Sequence, residues 1–291
     1  RFCLCSVKGA LRREVMERVV QANERDETPN PCIDCNRYIK LEKLMRRGEE
    51  TGFPYIATGH YARVEFDGAA GRWLLKKGLD ENKDQSYMLW SLTQWELSRL
   101  LLPLGGLTKE RVRQLAEEHG FLNARKRDSQ DICFVPDGDY AAFIRRWTGR
   151  DFPPGDFVGT QGEVYGQHKG IIHYTVGQRK GLGLSFPQPM FVKELDVENN
   201  QVVLSKAEEL FSQTVAARDV NLISVESIPE PLRVKARVRY RQKEQPATVL
   251  QTGPGELRVV FDQPQRAVTP GQSLVLYDGD TVVGGGKIAR K

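Results

Sequence analysis

Phe53-Pro54-Tyr55-Ile56-Ala57-Thr58-Gly59-His60 is an apolar run that stops on a threonine, a glycine and a histidine. A short run of this kind reads as a buried strand, and its carboxyl end is where an open parallel sheet presents ligand-binding loops. Upstream, Leu11, Val15 and Val19 recur at helical spacing, with Arg12, Arg13, Glu14, Glu17 and Arg18 left for the wet face. The polar, proline-punctuated run from Asn23 through Pro31 is then a loop that delivers Cys32 and Cys35 to the start of a second helix, through Lys43 and Met45. Downstream, Lys83-Asp84-Gln85-Ser86 precedes a predicted helix rich in Leu, Trp and Met that closes before Pro103. Thr108 caps another, with Val112, Leu115 and Ala116 as its buried face and a left-handed Gly120 after it. Helices alternating with short strands make an α/β domain of 1–147.

Composition shifts after Trp147, where Phe152-Pro153-Pro154-Gly155 opens a glycine-rich stretch, and from Val192 the pattern is short alternating strands. A small central domain is expected over 148–212 and an all-β domain over 213–291. Within the latter, Thr269-Pro270-Gly271 and Asp278-Gly279-Asp280 flank an apolar run, and Gly284-Gly285-Gly286 follows the next, as in a small barrel. A chain of 291 residues has room for two or three such units. No run approaches the roughly 18 apolar residues of a membrane span, and no signal-peptide pattern is evident, so the expected compartment is the cytoplasm. A net charge of +5 favours a polyanionic partner.

The five cysteines are Cys3, Cys5, Cys32, Cys35 and Cys133, an odd number confined to the first half of the chain. That is no secreted disulfide framework; it points to site chemistry in a reducing compartment. A thiol is a nucleophile or sulfur carrier only as the thiolate, so cations or a helix N-terminus nearby mark the candidates. Cys133 follows Arg125-Lys126-Arg127, partly offset by Asp128 and Asp131, and Cys35 sits at a predicted helix start. A structural zinc or an iron–sulfur cluster held by Cys32, Cys35 and Cys133, with His60 as a further candidate, stays open as the alternative. Cys3 and Cys5 read as small, buried strand residues.

In Arg233-Val234-Lys235-Ala236-Arg237-Val238-Arg239-Tyr240-Arg241, cations fill every second position. A strand puts all five on one face, where like charges repel unless they meet phosphates, so a nucleic acid is the expected partner. Trp90 and Trp95, with Leu89, Leu92 and Leu97, read as core rather than base-stacking platforms. His119 reads as a helix-end residue, and His168 carries no functional reading.

These segments are familiar together. Thr28 to Asn36 (TPNPCIDCN), Ala57 to Arg63 (ATGHYAR), Asn82 to Tyr87 (NKDQSY), Asp128 to Phe134 (DSQDICF) and His168 to Leu182 (HKGIIHYTVGQRKGL) resemble, in order and spacing, the tRNA-specific 2-thiouridylase family. The arginine-tyrosine strand and Val268-Thr269-Pro270-Gly271-Gln272 extend the likeness to the end of the chain. The resemblance implies an α/β fold: a Rossmann-like ATP-pyrophosphatase domain, incomplete at its N-terminus, then a small central domain and a C-terminal β-barrel that holds tRNA. It implies that ATP, with Mg2+, adenylates the C2 oxygen of a wobble uridine, and that sulfur then displaces AMP. Cys133 resembles the persulfide carrier, loaded by an upstream sulfur-relay protein or a cysteine desulfurase. Cys35 resembles the partner that frees the sulfur and leaves a Cys35–Cys133 disulfide. By position, Gly59 resembles an ATP contact, and Asn30, Pro31, Cys32, His60, Lys83, Asp84, Gln85, Arg239, Tyr240 and Gln272 resemble contacts to tRNA.

Two features depart from the family pattern. Its phosphate-gripping Ser-Gly-Gly-x-Asp-Ser loop belongs upstream of Arg1, so the bare chain is expected to be inactive. Cys32 stands where some relatives carry Asp, which makes a [4Fe–4S] cluster on Cys32, Cys35 and Cys133 an alternative to the persulfide route. Two rivals remain at the level of sequence: an ATP pyrophosphatase acting on a small carbonyl or amide, and a non-catalytic RNA-binding protein with a cysteine metal site.

Overall fold

The computed structural model describes residues 5–126, 132–135 and 137–290. Cys3 and residues 127–131, which include the expected Arg127, Asp128 and Asp131, lie outside the described residues.

The first predicted helix is present as α1 (Lys8–Leu11), a π-helical segment (Arg12–Glu17) and α2 (Arg18–Asn23) run end to end. Val15 and Val19 are fully buried, as the spacing required. A second composite helix follows: α3 (Pro31–Asp34), a π-helical segment (Cys35–Lys43) and α4 (Leu44–Glu50). The expected strand at Phe53 shrinks to β1 (Ile56–Ala57), paired in parallel with β4 (Leu100–Leu101). It is also not buried, because this sheet has two strands and leaves Phe53 65% and Tyr55 57% exposed. Cys5, expected in a strand, is exposed and outside any strand.

The helix expected after Ser86 is broken. Ser86–Leu89 is a single 3-10 turn, and the chain restarts at α5 (Gln94–Leu97) with a capping box between Thr93 and Glu96 before passing into β4. The physical reason is burial on every side: Leu89, Trp90, Leu92 and Leu97 are all fully enclosed, and one helical stripe cannot face that many neighbours. Trp90 and Trp95 are core, as expected. In α6 (Lys109–Glu118) the Thr108 cap and the left-handed Gly120 are present, but Val112, Leu115 and Ala116 are only half-buried. His119 closes that helix. α7 (Tyr140–Thr148) is capped by Asp139 and packs Phe143 and Ile144 against Val19 and Val20.

The central segment forms a four-stranded sheet from β5 (Gly155–Gly159), β6 (Val164–His168), β7 (Phe191–Asp196) and β8 (Gln201–Ser205), in the order β6-β5-β8-β7. His168 is structural there, with Nε2 3.0 Å from the Asn200 carbonyl and Nδ1 accepting from Gly170 N–H at 3.1 Å. The last strands are β9 (Phe211–Leu222), β10 (Leu232–Arg237), β11 (Gln245–Gly253), β12 (Glu256–Arg266), β13 (Ser273–Asp278) and β14 (Thr281–Ile288). They run β13-β10-β11-β12-β9-β14, and β13 also pairs with β14, which closes a six-stranded barrel.

The hairpin β2 (Ala62–Asp67) and β3 (Arg72–Lys77) from the first part of the chain hydrogen-bonds onto β14. One core therefore joins both ends of the sequence: Ile33, Leu41, Met45, Leu75, Tyr87 and Trp90 pack with Ile223, Val275, Tyr277 and Val282 of the barrel. Trp90 lies at the seam, donating Nε1–H to Ser273 Oγ at 2.9 Å. Gly285 must be glycine here, since a Cβ would sit 2.7 Å from the Leu274 carbonyl and 2.9 Å from the Trp90 ring.

Candidate active site

The loop before Cys32 is shaped by its own residues and then fastened by the barrel. Asn30 has extended backbone, its side-chain oxygen accepts from Cys32 N–H at 3.2 Å, and Pro31 occupies the first helical position, where no N–H is needed. Thr28 N–H donates to the Pro270 carbonyl at 2.8 Å, and Gln272 Nε2 donates to the Thr28 carbonyl at 2.7 Å. Gly271, at φ +83°, allows this approach; a Cβ there would lie 2.8 Å from Glu27 Cβ. Arg218 pairs with Glu27, Arg290 with Asp26, and Lys287 with the buried Asp34 at 3.7 Å. Asp34, between the two cysteines in sequence, has its carboxyl raised by burial despite Lys287.

Cys32 is exposed, Cys35 half-buried and Cys133 exposed. Desolvation by neighbouring protein raises the thiols of Cys32, although it reaches solvent, and of Cys35; the Lys40 ammonium pulls them back, and negative charge on Cys133 raises them again. The three thiols therefore lie within electrostatic reach of one another. Cys35 and Phe134, next to Cys133, also pack on one apolar cluster with Ala10, Val15 and Ile39. The expectation of a lowered Cys35 pKa is thus corrected, because desolvation outweighs the cation beside it. Among the described residues, no three His, Cys, Asp or Glu side chains are gathered to hold a metal ion.

Lys40 is the residue the sequence reading missed. It also faces His60, whose imidazole is pushed down to about 4, by burial first and by Lys40 second, with Nδ1 2.8 Å from Thr58 Oγ1. Lys40→Gln is expected to slow iodoacetamide alkylation of Cys32 and Cys35 at pH 8 roughly threefold, with Lys40→Arg near wild type. Equal rates in all three proteins would remove Lys40 from the site. His60 is neutral at pH 7, and its unfolded-state pKa of 6.5 exceeds the folded value. Acid therefore protonates the unfolded chain first. The stability held above pH 6.5 falls by on the order of 3 kcal/mol as pH drops towards 4. An imidazole NMR titration with a midpoint near 6.5 would contradict this.

The remaining expected residues form one connected wall. Tyr61 and Gln85 pair through their backbones at 2.8 Å, and Gln85 Oε1 accepts from Tyr61 N–H at 2.9 Å, which ties the turn of Lys83, Asp84 and Gln85 to the Gly59-His60 segment. Asp84 is buried, its carboxylate accepting from Gly78 N–H at 3.1 Å and Ser86 Oγ at 2.9 Å. Tyr240 donates its hydroxyl to the Asp84 carbonyl at 3.2 Å and packs on Tyr87 with ring centroids 5.7 Å apart. Asn36 donates to the Met88 carbonyl at 3.2 Å, and Asn30 Nδ2 reaches Met88 Sδ at 3.7 Å.

The basic row differs from its expected form. The strand ends at Arg237, so the five cations do not share one face. Arg233 makes a two-pronged pair with Asp262 at 2.8 Å. Arg237 donates to Glu244 at 2.6 Å and lies 3.6 Å from Asp84. Arg239 donates to the carbonyls of Val176 (3.2 Å) and Ala267 (2.7 Å) and to Thr269 Oγ1 (2.8 Å), joining the central segment to the barrel. Acids and backbone carbonyls of the protein itself partner these three.

Comparison with known proteins places the whole chain. Residues 1–137 match the family described as tRNA methyl transferase HUP domain, 141–206 the tRNA methyl transferase PRC-barrel domain, and 212–288 the aminomethyltransferase beta-barrel domain. The chain is 50% identical over 281 residues to the tRNA-specific 2-thiouridylase MnmA of Acetivibrio thermocellus, covering 95% of this chain and 78% of that protein. It is 45% identical over 289 residues to the protein of the same name from Clostridioides difficile, covering 99% and 80%. A relative named tRNA-specific 2-thiouridylase MnmA 1, from Caldanaerobacter subterraneus, is 51% identical over 267 residues, covering 92% and 73%. With matches of this identity along nearly its full length, the chain belongs to the tRNA-specific 2-thiouridylase family.

Proposed function

We propose that this protein is a tRNA sulfurtransferase that places sulfur on C2 of a wobble uridine, using ATP and a persulfide carried on Cys133. What supports the reading is that Cys35 follows a loop fastened by the barrel and packs on the same apolar cluster as Phe134, the neighbour of Cys133, with the Lys40 charge acting on its thiol, in a chain of this family. ATP is a substrate here, and adenylation of the C2 oxygen converts it into the leaving group of AMP. Mg2+ would accompany the nucleotide as the counter-ion of its phosphates. Gly59, in the turn at the carboxyl end of β1, is the proposed nucleotide contact.

The terminal sulfur of the Cys133 persulfide attacks C2 and expels AMP, leaving the base joined to Cys133 through two sulfurs. The Cys35 thiolate then attacks Cys133 Sγ. The outer sulfur departs with the base as 2-thiouridine, and Cys35 and Cys133 are left as a disulfide. Lys40 favours the attacking thiolate, and neutral His60 offers the base a hydrogen bond rather than a charge. Reaching the thiols requires the uridine to leave its stack, which costs a few kcal/mol, least for a base in a single-stranded loop. Asn30, Pro31 and Cys32 line that approach. Lys83, Gln85, Tyr240 and Gln272 would flank the anticodon arm. Asp84 and Arg239 act by holding this wall, since their polar atoms are committed within the protein.

The sulfur comes from a relay protein or a cysteine desulfurase, and a cytoplasmic location goes with a tRNA substrate. Among the described residues, no helix is long and apolar enough to cross a membrane. The test supplies the chain, preceded by the expected phosphate-gripping loop, with tRNA, ATP and a sulfur donor, and counts 2-thiouridine by nucleoside mass spectrometry. Product that depends on ATP supports the reading. Binding of tRNA without any product would leave an RNA-binding protein in its place.

A further inference from the structure

Cys32 has no task in the persulfide cycle, yet it is the most accessible thiol of the pair it forms with Cys35. Resting on that cycle, we propose that Cys32 is a resolving thiol that attacks Cys35 in the Cys35–Cys133 disulfide, so that Cys133 is released and Cys32–Cys35 becomes the oxidised pair. The geometry favours it. Cys32 is the second residue of α3 and Cys35 follows the last, so the two stand three apart on one helical face. At that separation Cβ atoms lie about 5–6 Å apart, and closing to the roughly 3.5–4.5 Å of a disulfide asks for a small movement at a helix start. Cys35 also packs on the same apolar cluster as Phe134, the neighbour of Cys133, so the bond to be exchanged lies on this side of the site.

The step balances without an added oxidant. Cys32 loses its proton, its sulfur bonds to Cys35 Sγ, the Cys35–Cys133 bond breaks, and Cys133 leaves as a thiolate that takes up a proton. One disulfide is exchanged for another. An external dithiol then reduces the Cys32–Cys35 pair at the exposed Cys32 sulfur, two electrons entering and two thiols returning. Without this exchange, both working cysteines would stay locked until an external reductant opened the bond between them. With it, Cys133 can accept its next sulfur while reduction proceeds elsewhere.

Disulfide mapping in a dithiothreitol redox buffer tests the inference directly. Trypsin places Cys32 and Cys35 together in peptide 26–37 and Cys133 in peptide 128–145. After acid quench and alkylation, the oxidised protein should give peptide 26–37 lighter by two hydrogens and peptide 128–145 alkylated at Cys133. This linkage should outnumber Cys35–Cys133 at least about tenfold. Cys32→Ser should shift the linkage to 26–37 cross-linked to 128–145, and Cys133→Ser should still form the light 26–37 peptide. A wild-type protein linked through Cys133 with Cys32 alkylated would overturn the inference, as would a Cys133→Ser protein that forms no internal pair. No tRNA, ATP or sulfur donor takes part. A protein that forms this pair but makes no 2-thiouridine therefore counts against the proposed function alone, and one that makes 2-thiouridine while Cys32 stays reduced counts against the resolving role alone.

Discussion

Cys133→Ser is expected to lower 2-thiouridine formation at least about a thousandfold, to the floor of the assay, because a hydroxyl cannot carry a transferable sulfur. Cys133 is exposed, so serine there leaves no cavity and folding should be unaffected. Cys35→Ser should also lose most of its turnover but fail at a different point. With the freeing thiol gone, the chain stops with the base disulfide-bonded to Cys133, an adduct that runs as protein-linked tRNA on a denaturing gel and falls apart with dithiothreitol. Cys32 is the exposed thiol left to resolve that adduct slowly, so the double variant with Cys32→Ser should trap it most completely. Adduct in Cys133→Ser, or full turnover in Cys35→Ser, would reverse the two roles.

Trp90→Ala carries the largest expected effect on stability. The ring is fully buried where the cysteine helix, the β2–β3 hairpin and the barrel share a core. Its removal forfeits the burial of a large aromatic, opens a cavity against glycine backbone at Gly285, and leaves Ser273 Oγ without its donor at 2.9 Å. Such truncations cost about 3–5 kcal/mol. Guanidinium unfolding should show a loss of that size, and Trp90→Phe should recover most of the packing but not the hydrogen bond. A change under about 1 kcal/mol in Trp90→Ala would mean that the two ends of the chain do not depend on this seam.

Much of this was legible before any coordinates. Turn residues do one thing wherever they occur, so Thr269-Pro270-Gly271 and Asp278-Gly279-Asp280 bracketed the last strands correctly, and Gly120 and Thr108 marked their helix ends. The cysteines announced themselves by type and spacing. Periodicity misled after Ser86, where apolar residues point every way because the segment is enclosed; the Thr93-x-x-Glu96 capping box was the available sign that the chain starts again there. The alternating cations misled for another reason. Asp262, Glu244 and the Ala267 carbonyl are partners brought in by the fold, and no local pattern reveals them. Lys40 was hidden by helix type. In an α-helix a residue five positions on lies about 140° around the axis from Cys35, whereas the wider π-helical turn brings it back towards the same side.

The loop of Asp26 to Asp34 is held by Arg218, Pro270, Gln272, Lys287 and Arg290. During synthesis the thiols at 32 and 35 therefore emerge long before the barrel residues that fasten their loop, since Arg290 and its partner Asp26 are 264 positions apart. Closing so distant a contact is slow, since the intervening chain must be ordered before the contact repays it. A nascent chain, or one cut short before the barrel, carries its cysteines on an unfastened loop. Sulfur chemistry thus waits for the barrel to be made, which keeps a reactive pair of thiols unassembled until that domain stands beside it.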